Sequence, residues 1–314
     1  MPIRCVVLFA KDYFLLRAKA ISGKERFADQ HKGLTQKIFG VDQRFLNKIN
    51  PNKKQDYLMT KTVLITGASS GFGEACAKRF AVNGDRLILA ARSVDKLKSL
   101  RDSLANKCDI FIHRLDVSSK ESIDIFFSAL PDVFSDIDIL INNAGLALGI
   151  NPAHEASLDD WETMIDTNIK GLVRITRQVL PAMVEKNSGH IINMGSIAGT
   201  WPYPGGNVYG STKSFVQQFS RSLRADVLGK AIRVTNIDPG LAETNFSIVR
   251  MNGDIDKASS LYENTKPLVA EDIADIIFWV SSVPKHVNIN TLEVMPNCQA
   301  WGPLIIHRER EDQN

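Results

Sequence analysis

Tyr209 and Lys213 stand four residues apart in the run Tyr-Gly-Ser-Thr-Lys, a short way after Ser196. If the segment from about Val208 onward is helical, the two side chains share one face, one turn apart. An ammonium fixed beside a phenol favours the phenolate and lowers the phenol's pKa from its unperturbed value of about 10. A tyrosine tuned in this way exchanges a proton with an alcohol or carbonyl oxygen near neutral pH. A hydroxyl at Ser196 would hold that same oxygen by a hydrogen bond. Chance also puts a Tyr and a Lys at this spacing on surface helices, so the rest of the chain must support the chemistry.

The elements that would position these groups follow Met59. Apolar, β-branched runs (Val63–Thr66, Leu87–Ala90, Ile110–Ile112, Ile137–Ile141, His190–Met194 and Arg233–Ile237) are separated by longer stretches of helical periodicity. Near-continuous apolar strands joined by helical crossovers predict an α/β fold, a doubly wound parallel sheet in a single domain. The first run leads into Thr66-Gly67-Ala68-Ser69-Ser70-Gly71-Phe72-Gly73, with a helix expected over Glu74–Val82. Gly67 allows a tight turn, while Gly71 and Gly73 let backbone approach a pyrophosphate and let helix pack on strand. After a strand that opens an alternating series, such a turn points to a dinucleotide.

The second strand ends Ala90-Ala91-Arg92-Ser93. NAD binders usually place an acid there for the ribose 2′-OH. A guanidinium at Arg92 would instead fork onto a 2′-phosphate, with Ser69 or Ser93 adding a hydroxyl, which points to NADP. Asp116-Val117 follows the third strand, where a carboxylate would accept from an adenine amino group or else cap the next helix. Asn142-Asn143-Ala144-Gly145 follows the fourth, and two amides at a buried strand end must be bonded. Asn168 lies within a helical stretch beginning near Leu158, with Gly171 close by, and marks either a kink facing the site or an exposed polar residue. Pro239-Gly240 ends the sixth strand and starts a loop with Thr244 available for the nicotinamide carboxamide or a phosphate.

Composition narrows the remaining choices. The 314 residues are 44% hydrophobic, and the net charge of +3 is uneven. Residues 1–58 carry twelve Lys/Arg against five Asp/Glu, so the remainder is mildly acidic and shows no footprint for nucleic acid. Cys5, Cys76, Cys108 and Cys298 have no paired spacing, which predicts reduced thiols and no metal site. The apolar run Cys5–Ala10 is too short to span a membrane. Residues 1–58 read as an extension outside the functional start, with the domain over 59–314.

The run TGASSGFG, the run NNAG, Asn168, Ser196, YGSTK and the Pro239-Gly240 turn together resemble the short-chain dehydrogenase/reductases across residues 60–300. That resemblance implies a catalytic set of Asn168, Ser196, Tyr209 and Lys213. Tyr209 would be the general acid/base and Ser196 would polarise the substrate oxygen. Lys213 would bind the nicotinamide ribose, and Asn168 would hold a water in a proton relay. Cofactor contacts carry over to Gly67, Gly71, Gly73, Arg92, Asp116, Asn143 and Pro239–Thr244. The stretches PAH at 152–154, DWETMIDTN at 160–168, WPY at 201–203, GGNVY at 205–209 and HVNINTLEVMP at 286–296 are similar to one subgroup, the NADP-dependent 3-hydroxy acid dehydrogenases. These act on L-serine, L-allo-threonine or malonic semialdehyde and are generally cytoplasmic homotetramers. Residues 1–58 depart from the family pattern, and the tail after Pro296 matches it only in part. A 3-hydroxy acid needs a group for its carboxylate, and Arg250 in the loop after Pro239-Gly240 is the candidate. The other readings are an NADPH carbonyl reductase for an uncharged ketone, with Trp201 and Tyr203 forming an apolar pocket, and a non-catalytic NADP(H) sensor.

Overall fold

A computed structural model describes residues 60–302; the expectations for residues 1–58 and for the end of the tail lie outside the described residues. Strands and helices alternate as β1 (Thr62–Thr66), α1 (Gly71–Val82), β2 (Arg86–Ala91), α2 (Val94–Leu104) and β3 (Ile110–Arg114). Helices α3 (Lys120–Ser128) and α4 (Asp132–Ser135) lead to β4 (Ile139–Asn142). A long helical segment follows, α5 (Leu158–Ile165) continuing through a π-helical turn, Asp166–Gly171, into α6 (Leu172–Glu185). Then come β5 (Gly189–Met194), α7 (Asn207–Asp226) and β6 (Ile232–Pro239). Two short helices, α8 (Asn245–Arg250) and α9 (Ile255–Ser260), precede α10 (Ala270–Ser282) and β7 (Thr291–Val294).

The seven strands form one parallel sheet in the order β3-β2-β1-β4-β5-β6-β7. The periodicity argument therefore identifies six strands within two residues of their observed ends, and misses the seventh. That strand is a four-residue edge whose residues alternate between exposed and half-buried, so it never forms an apolar run. The side chain of Asn288 extends this edge by pairing with the N–H (2.8 Å) and C=O (3.0 Å) of Val234.

Because both faces of the sheet are covered, successive residues of one strand enter different cores. Val63 and Ile65 of β1 pack with Phe80 of α1 and with Ile273 and Ile277 of α10. Leu64 packs with Phe126 of α3 and with Val179 and Met183 of α6. Each large side chain buried in this way stabilises the fold by about 1.5–3 kcal/mol. Two strong cores clamp the sheet, and the chain order reverses between β1 and β4. At such a switch point the loops leaving the strands diverge and open a crevice. No helix of the described residues is long and apolar enough to cross a membrane.

Candidate active site

The C-terminal ends of β1 to β6 open onto one cavity of about 410 Å³. The turn after β1 contributes Gly67, Ser69, Ser70, Gly71 and Phe72 to its wall. Gly67 (φ +66°) and Gly71 (φ +53°) take the left-handed backbone that favours glycine. A Cβ on Gly67 would also stand 2.9 Å from Asn143 Nδ2. Gly73 does not line the cavity; a Cβ there would collide with Gly67 O, so it serves the packing of α1 on the turn. Ser70 is the N-cap of α1 but makes no side-chain cap bond, so the first N–H groups of that helix have no side-chain acceptor at their N-cap. A strand-end turn of this shape at a helix N-terminus fits a pyrophosphate.

The amides of the Asn-Asn-Ala-Gly run are bonded as burial requires. Asn142 Nδ2 donates to Thr176 Oγ1 and to Asn193 Oδ1, both at 2.9 Å. Asn143 Nδ2 donates to Thr66 O (2.9 Å) and Gly67 O (3.1 Å), tying the end of β4 to the glycine turn. Asn143, Ala144 and Gly145 then line the cavity. Arg92 and Ser93 reach it from the end of β2, joined by Lys96, which the sequence reading did not single out because it sits in an exposed helical turn. Asp116 and Val117 line the cavity from the end of β3. Asp116 is no helix cap: Ser119 accepts the Ser122 N–H at the start of α3, while Asp116 Oδ1 accepts from the N–H (3.0 Å) and hydroxyl (2.6 Å) of Ser118. Burial works against its charge, yet these bonds and the positive Arg92 and Arg114 win and hold its pKa below the ordinary value.

Helix α7 carries Tyr209 and Lys213 on one buried face, as their spacing predicts. Lys213 Nζ donates to Met194 O at 2.7 Å and lies 5.8 Å from the centre of the Tyr209 ring. Ser196 N-caps a short 3₁₀ turn, its hydroxyl accepting from the Ala198 N–H at 3.1 Å, and lines the cavity with Tyr209 and Lys213. The expected direction of the tyrosine's shift is corrected here. Burial pushes Tyr209 up to about 12, against the Ser196 hydroxyl and the Arg250 charge, which act to lower it. Burial likewise pushes Lys213 down to about 8, opposed by Asp238. Desolvation, which the i, i+4 argument leaves out, is the largest cause of both shifts.

Asn168 sits in the π-helical turn and is 2% exposed, which excludes the exposed-residue reading. Its amide is fully engaged: Oδ1 accepts the Leu146 N–H (2.9 Å), while Nδ2 donates to Leu146 O (2.8 Å) and Thr212 Oγ1 (3.1 Å). Gly145 separates it from Lys213; a Cβ there would stand 3.2 Å from Asn168 Oδ1 and 3.5 Å from Lys213 Nζ. Gly171, costly in a helix, lies against Val117, where a Cβ would come within 2.8 Å of Cγ2. Pro239, Gly240 and Thr244 line the cavity opposite the glycine turn. Thr244 caps α8 and faces Gly71, whose Cβ position is 3.6 Å from the threonine's Cβ.

Arg250 does not line the cavity, but its guanidinium lies 5.3 Å from the centre of the Tyr203 ring and 5.7 Å from that of Tyr209. Its Nε donates to Gly149 O at 3.3 Å. Trp201 and Tyr203 are exposed and do not line the cavity, and Trp201 Nε1 donates to Glu293 Oε2 at 3.0 Å, so the two form no closed apolar pocket. Phe246 and Val249 of α8, unremarked in the sequence, complete the wall near Tyr209.

Residues 61–253 match the family model for short chain dehydrogenase. An NADP-dependent 3-hydroxy acid dehydrogenase of Salmonella typhi is 54% identical over 247 residues, covering 78% of this chain and 99% of that protein. Sulfoacetaldehyde reductase 2 of Chromohalobacter salexigens is 48% identical over 252 residues, 80% of this chain and all of the relative. Among solved structures, the closed form of serine dehydrogenase complexed with NADP⁺ is 54% identical, with a TM-score of 0.77 over 79% of this chain and 99% of that one.

Proposed function

The chain belongs to the short chain dehydrogenase family, and on that premise we propose that it moves hydride between NADP(H) and C3 of short 3-hydroxy or 3-oxo acids. L-Serine, L-allo-threonine and the 3-hydroxypropionate/malonic semialdehyde pair are its substrate type. It is an NADP-dependent oxidoreductase acting on CH–OH groups. One observation carries this reading: a single cavity runs from Arg92 and the glycine turn to Ser196, Tyr209 and Lys213, and the Arg250 guanidinium, though not part of the cavity wall, lies 5.7 Å from the centre of the Tyr209 ring.

NADP(H), when bound, supplies or accepts the hydride. Arg92, with Lys96 beside it, holds the 2′-phosphate; Asp116 accepts from the adenine amino group; Gly71 and Thr244 border the diphosphate. Lys213 holds the nicotinamide ribose. Ser196 orients the substrate oxygen, and Tyr209 gives that oxygen a proton in reduction and takes one back in oxidation. A phenol pushed to about 12 is protonated at neutral pH, so the resting form is already the proton donor that carbonyl reduction requires. Asn168 fixes the Leu146 loop across from Lys213 and borders the path of a relay water. Arg250 forks onto the acid group of the substrate. The resemblance also supports a cytoplasmic homotetramer in which residues 59–314 carry the activity.

The test follows absorbance of the reduced nicotinamide, with NADP⁺ and NAD⁺ offered separately. The substrates are L-serine, L-allo-threonine, 3-hydroxypropionate and an uncharged secondary alcohol. Turnover of the acids with NADP⁺ is expected, and Arg250→Ala should raise KM for the acids while sparing the alcohol. Activity on the alcohol alone would make the protein a carbonyl reductase. NADPH binding without any turnover would make it a sensor. Sulfoacetaldehyde with NADPH belongs in the same panel, since its sulfonate presents Arg250 with the same charge across one CH₂.

A further inference from the structure

Beneath Ser196 lies a buried carboxylate that neither the motif reading nor the family assignment used. Asp238, the second-last residue of β6, is 2% exposed. Its Oδ1 accepts the backbone N–H of Ser196 at 2.8 Å. Its Oδ2 accepts from Asn236 Nδ2 at 2.7 Å and from Gln217 Nε2 at 3.1 Å. Gln217 extends the helical face of Tyr209 and Lys213 by one more turn, and the same Nε2 reaches Thr200 Oγ1 (2.9 Å) and Ser196 O (3.4 Å). Gly195 makes the approach possible, since a Cβ there would collide with Asp238 Oδ1. Asn236 is fully buried and its Oδ1 has no partner, so that amide serves the network only through its donation to Asp238.

We infer that Asp238, oriented by Gln217 and Asn236, is a positioning residue that holds the Ser196 turn in place and supplies the negative charge under the Tyr209–Lys213 pair. The inference rests on the proposed roles of Ser196, Tyr209 and Lys213. Two physical arguments support it. A buried carboxylate with three N–H donors is fixed in orientation, and charge-assisted bonds are the strong ones, so the Ser196 backbone cannot drift from β6. Its charge also raises the proton affinity of both Tyr209 and Lys213. The other groups acting on Tyr209 are the Ser196 hydroxyl, Tyr203 and Arg250, while Lys213 has Met194 O and the ring of Tyr209 beside it. Asp238 is thus the one carboxylate among the described groups named as acting on either residue.

The experiment compares wild type, Asp238→Asn and Asp238→Glu in the full-length chain, with Gln217→Leu as a milder second variant and Tyr209→Phe as the reference for the site. Steady-state kcat and KM are measured in both directions from pH 6 to 10, and NADPH binding by its fluorescence. Asp238→Asn should lower kcat roughly tenfold or more while NADPH affinity holds within about threefold. The midpoint of its oxidation profile should move to lower pH by about one unit, since a neutral amide no longer holds protons on the pair. Asp238→Glu should restore the midpoint in part, and Gln217→Leu should lower kcat by less with a smaller shift. If Asp238→Asn fails to fold, the Gln217→Leu profile decides. Wild-type kcat and an unmoved midpoint in these variants, with Tyr209→Phe inactive, would overturn the inference and leave the site intact. Full activity in Tyr209→Phe would overturn the site reading and this inference with it.

Discussion

The two ends of the parallel sheet hold their ionisable groups in different surroundings. At the N-terminal ends of the strands, the buried Asp85 and Arg233 and the half-buried Lys61 and Asp138 have partners among the described residues. The Lys61 N–H donates to Asp85 Oδ1 at 3.0 Å and its Nζ to Ser281 O at 3.2 Å. Asp138 accepts from the Thr62 N–H at 2.9 Å and from Lys186 Nζ at 3.1 Å. Arg233 donates to Val280 O (3.0 Å) and Ser281 O (2.9 Å), capping the C-terminus of α10, where a cation also meets the negative end of the helix dipole. At the C-terminal ends, Tyr209 and Lys213 face a cavity; burial favours the neutral form at both ends, in Lys61, Asp85 and Arg233 as in Tyr209 and Lys213, so the open cavity is what sets this end apart. Buried charges with a full set of partners hold architecture together; buried ionisable groups left facing a cavity are poised for chemistry.

Changing Tyr209 should give the largest effect and should touch only one side of this contrast. Tyr209→Phe removes the proton donor but keeps the ring against Phe246, whose centre lies 5.6 Å away. The expected loss in kcat is about 10³-fold, with NADPH affinity and the urea midpoint unchanged. A loss below tenfold would mean that proton transfer does not run through this phenol. Arg233→Met should do the reverse. It strips the end of α10 of a buried cation and should cost about 2–4 kcal/mol of unfolding free energy, measured in urea at fixed protein concentration. Its kcat/KM should stay within about twofold of wild type. A large catalytic defect in a folded Arg233→Met protein would show that the two ends are coupled.

Sequence patterning located most of the catalytic end and little of the opposite one, for a physical reason. The cavity wall is built from short contiguous motifs at strand ends, so TGASSGFG, NNAG and YGSTK each bring their chemistry within a few residues. Gly73, within the first of these motifs, and Asn168, in the helical stretch between the other two, act one layer back, in packing and in holding the Leu146 loop, a distinction that spacing does not express. Lys96 and Asp238 were invisible because nothing local marks them; their roles come from helix packing and from the pairing of β5 with β6. The direction of the Tyr209 shift does not follow from the i, i+4 spacing, because burial is a tertiary quantity. The Lys61, Asp85, Asp138 and Arg233 set joins residues far apart in the chain, so only the assembled sheet reveals it.

The smallest expected effect tests whether the paired end has any weak point, and His190 is the place to look. It is fully buried on β5, with Nε2 2.8 Å from Thr235 Oγ1 and Nδ1 without a partner. Burial holds its pKa well below the ordinary value, and the positive Arg233 and Lys61 act in the same direction. The folded protein therefore keeps His190 neutral, while the unfolded chain takes up a proton below about pH 6.5. Its contribution is fully present above that pH and is lost as the pH falls, by at most about 1.4 kcal/mol per pH unit. Asp85 and Asp238, whose folded pKa values are raised by burial, work in the opposite direction, so the wild-type slope alone does not isolate His190. His190→Gln keeps a polar group for Thr235 and removes the titration. The unfolding free energy of wild type relative to this variant should be constant above pH 7 and should fall steadily from pH 6.5 to pH 5, with catalysis at fixed pH unchanged. A difference that does not vary with pH would mean that the imidazole takes up its proton as readily in the fold as in the unfolded chain. Below about pH 6.5 the N-terminal edge would then hold a buried imidazolium beside the half-buried Lys61 and the buried Arg233, and the division between a paired end and a poised end would no longer stand.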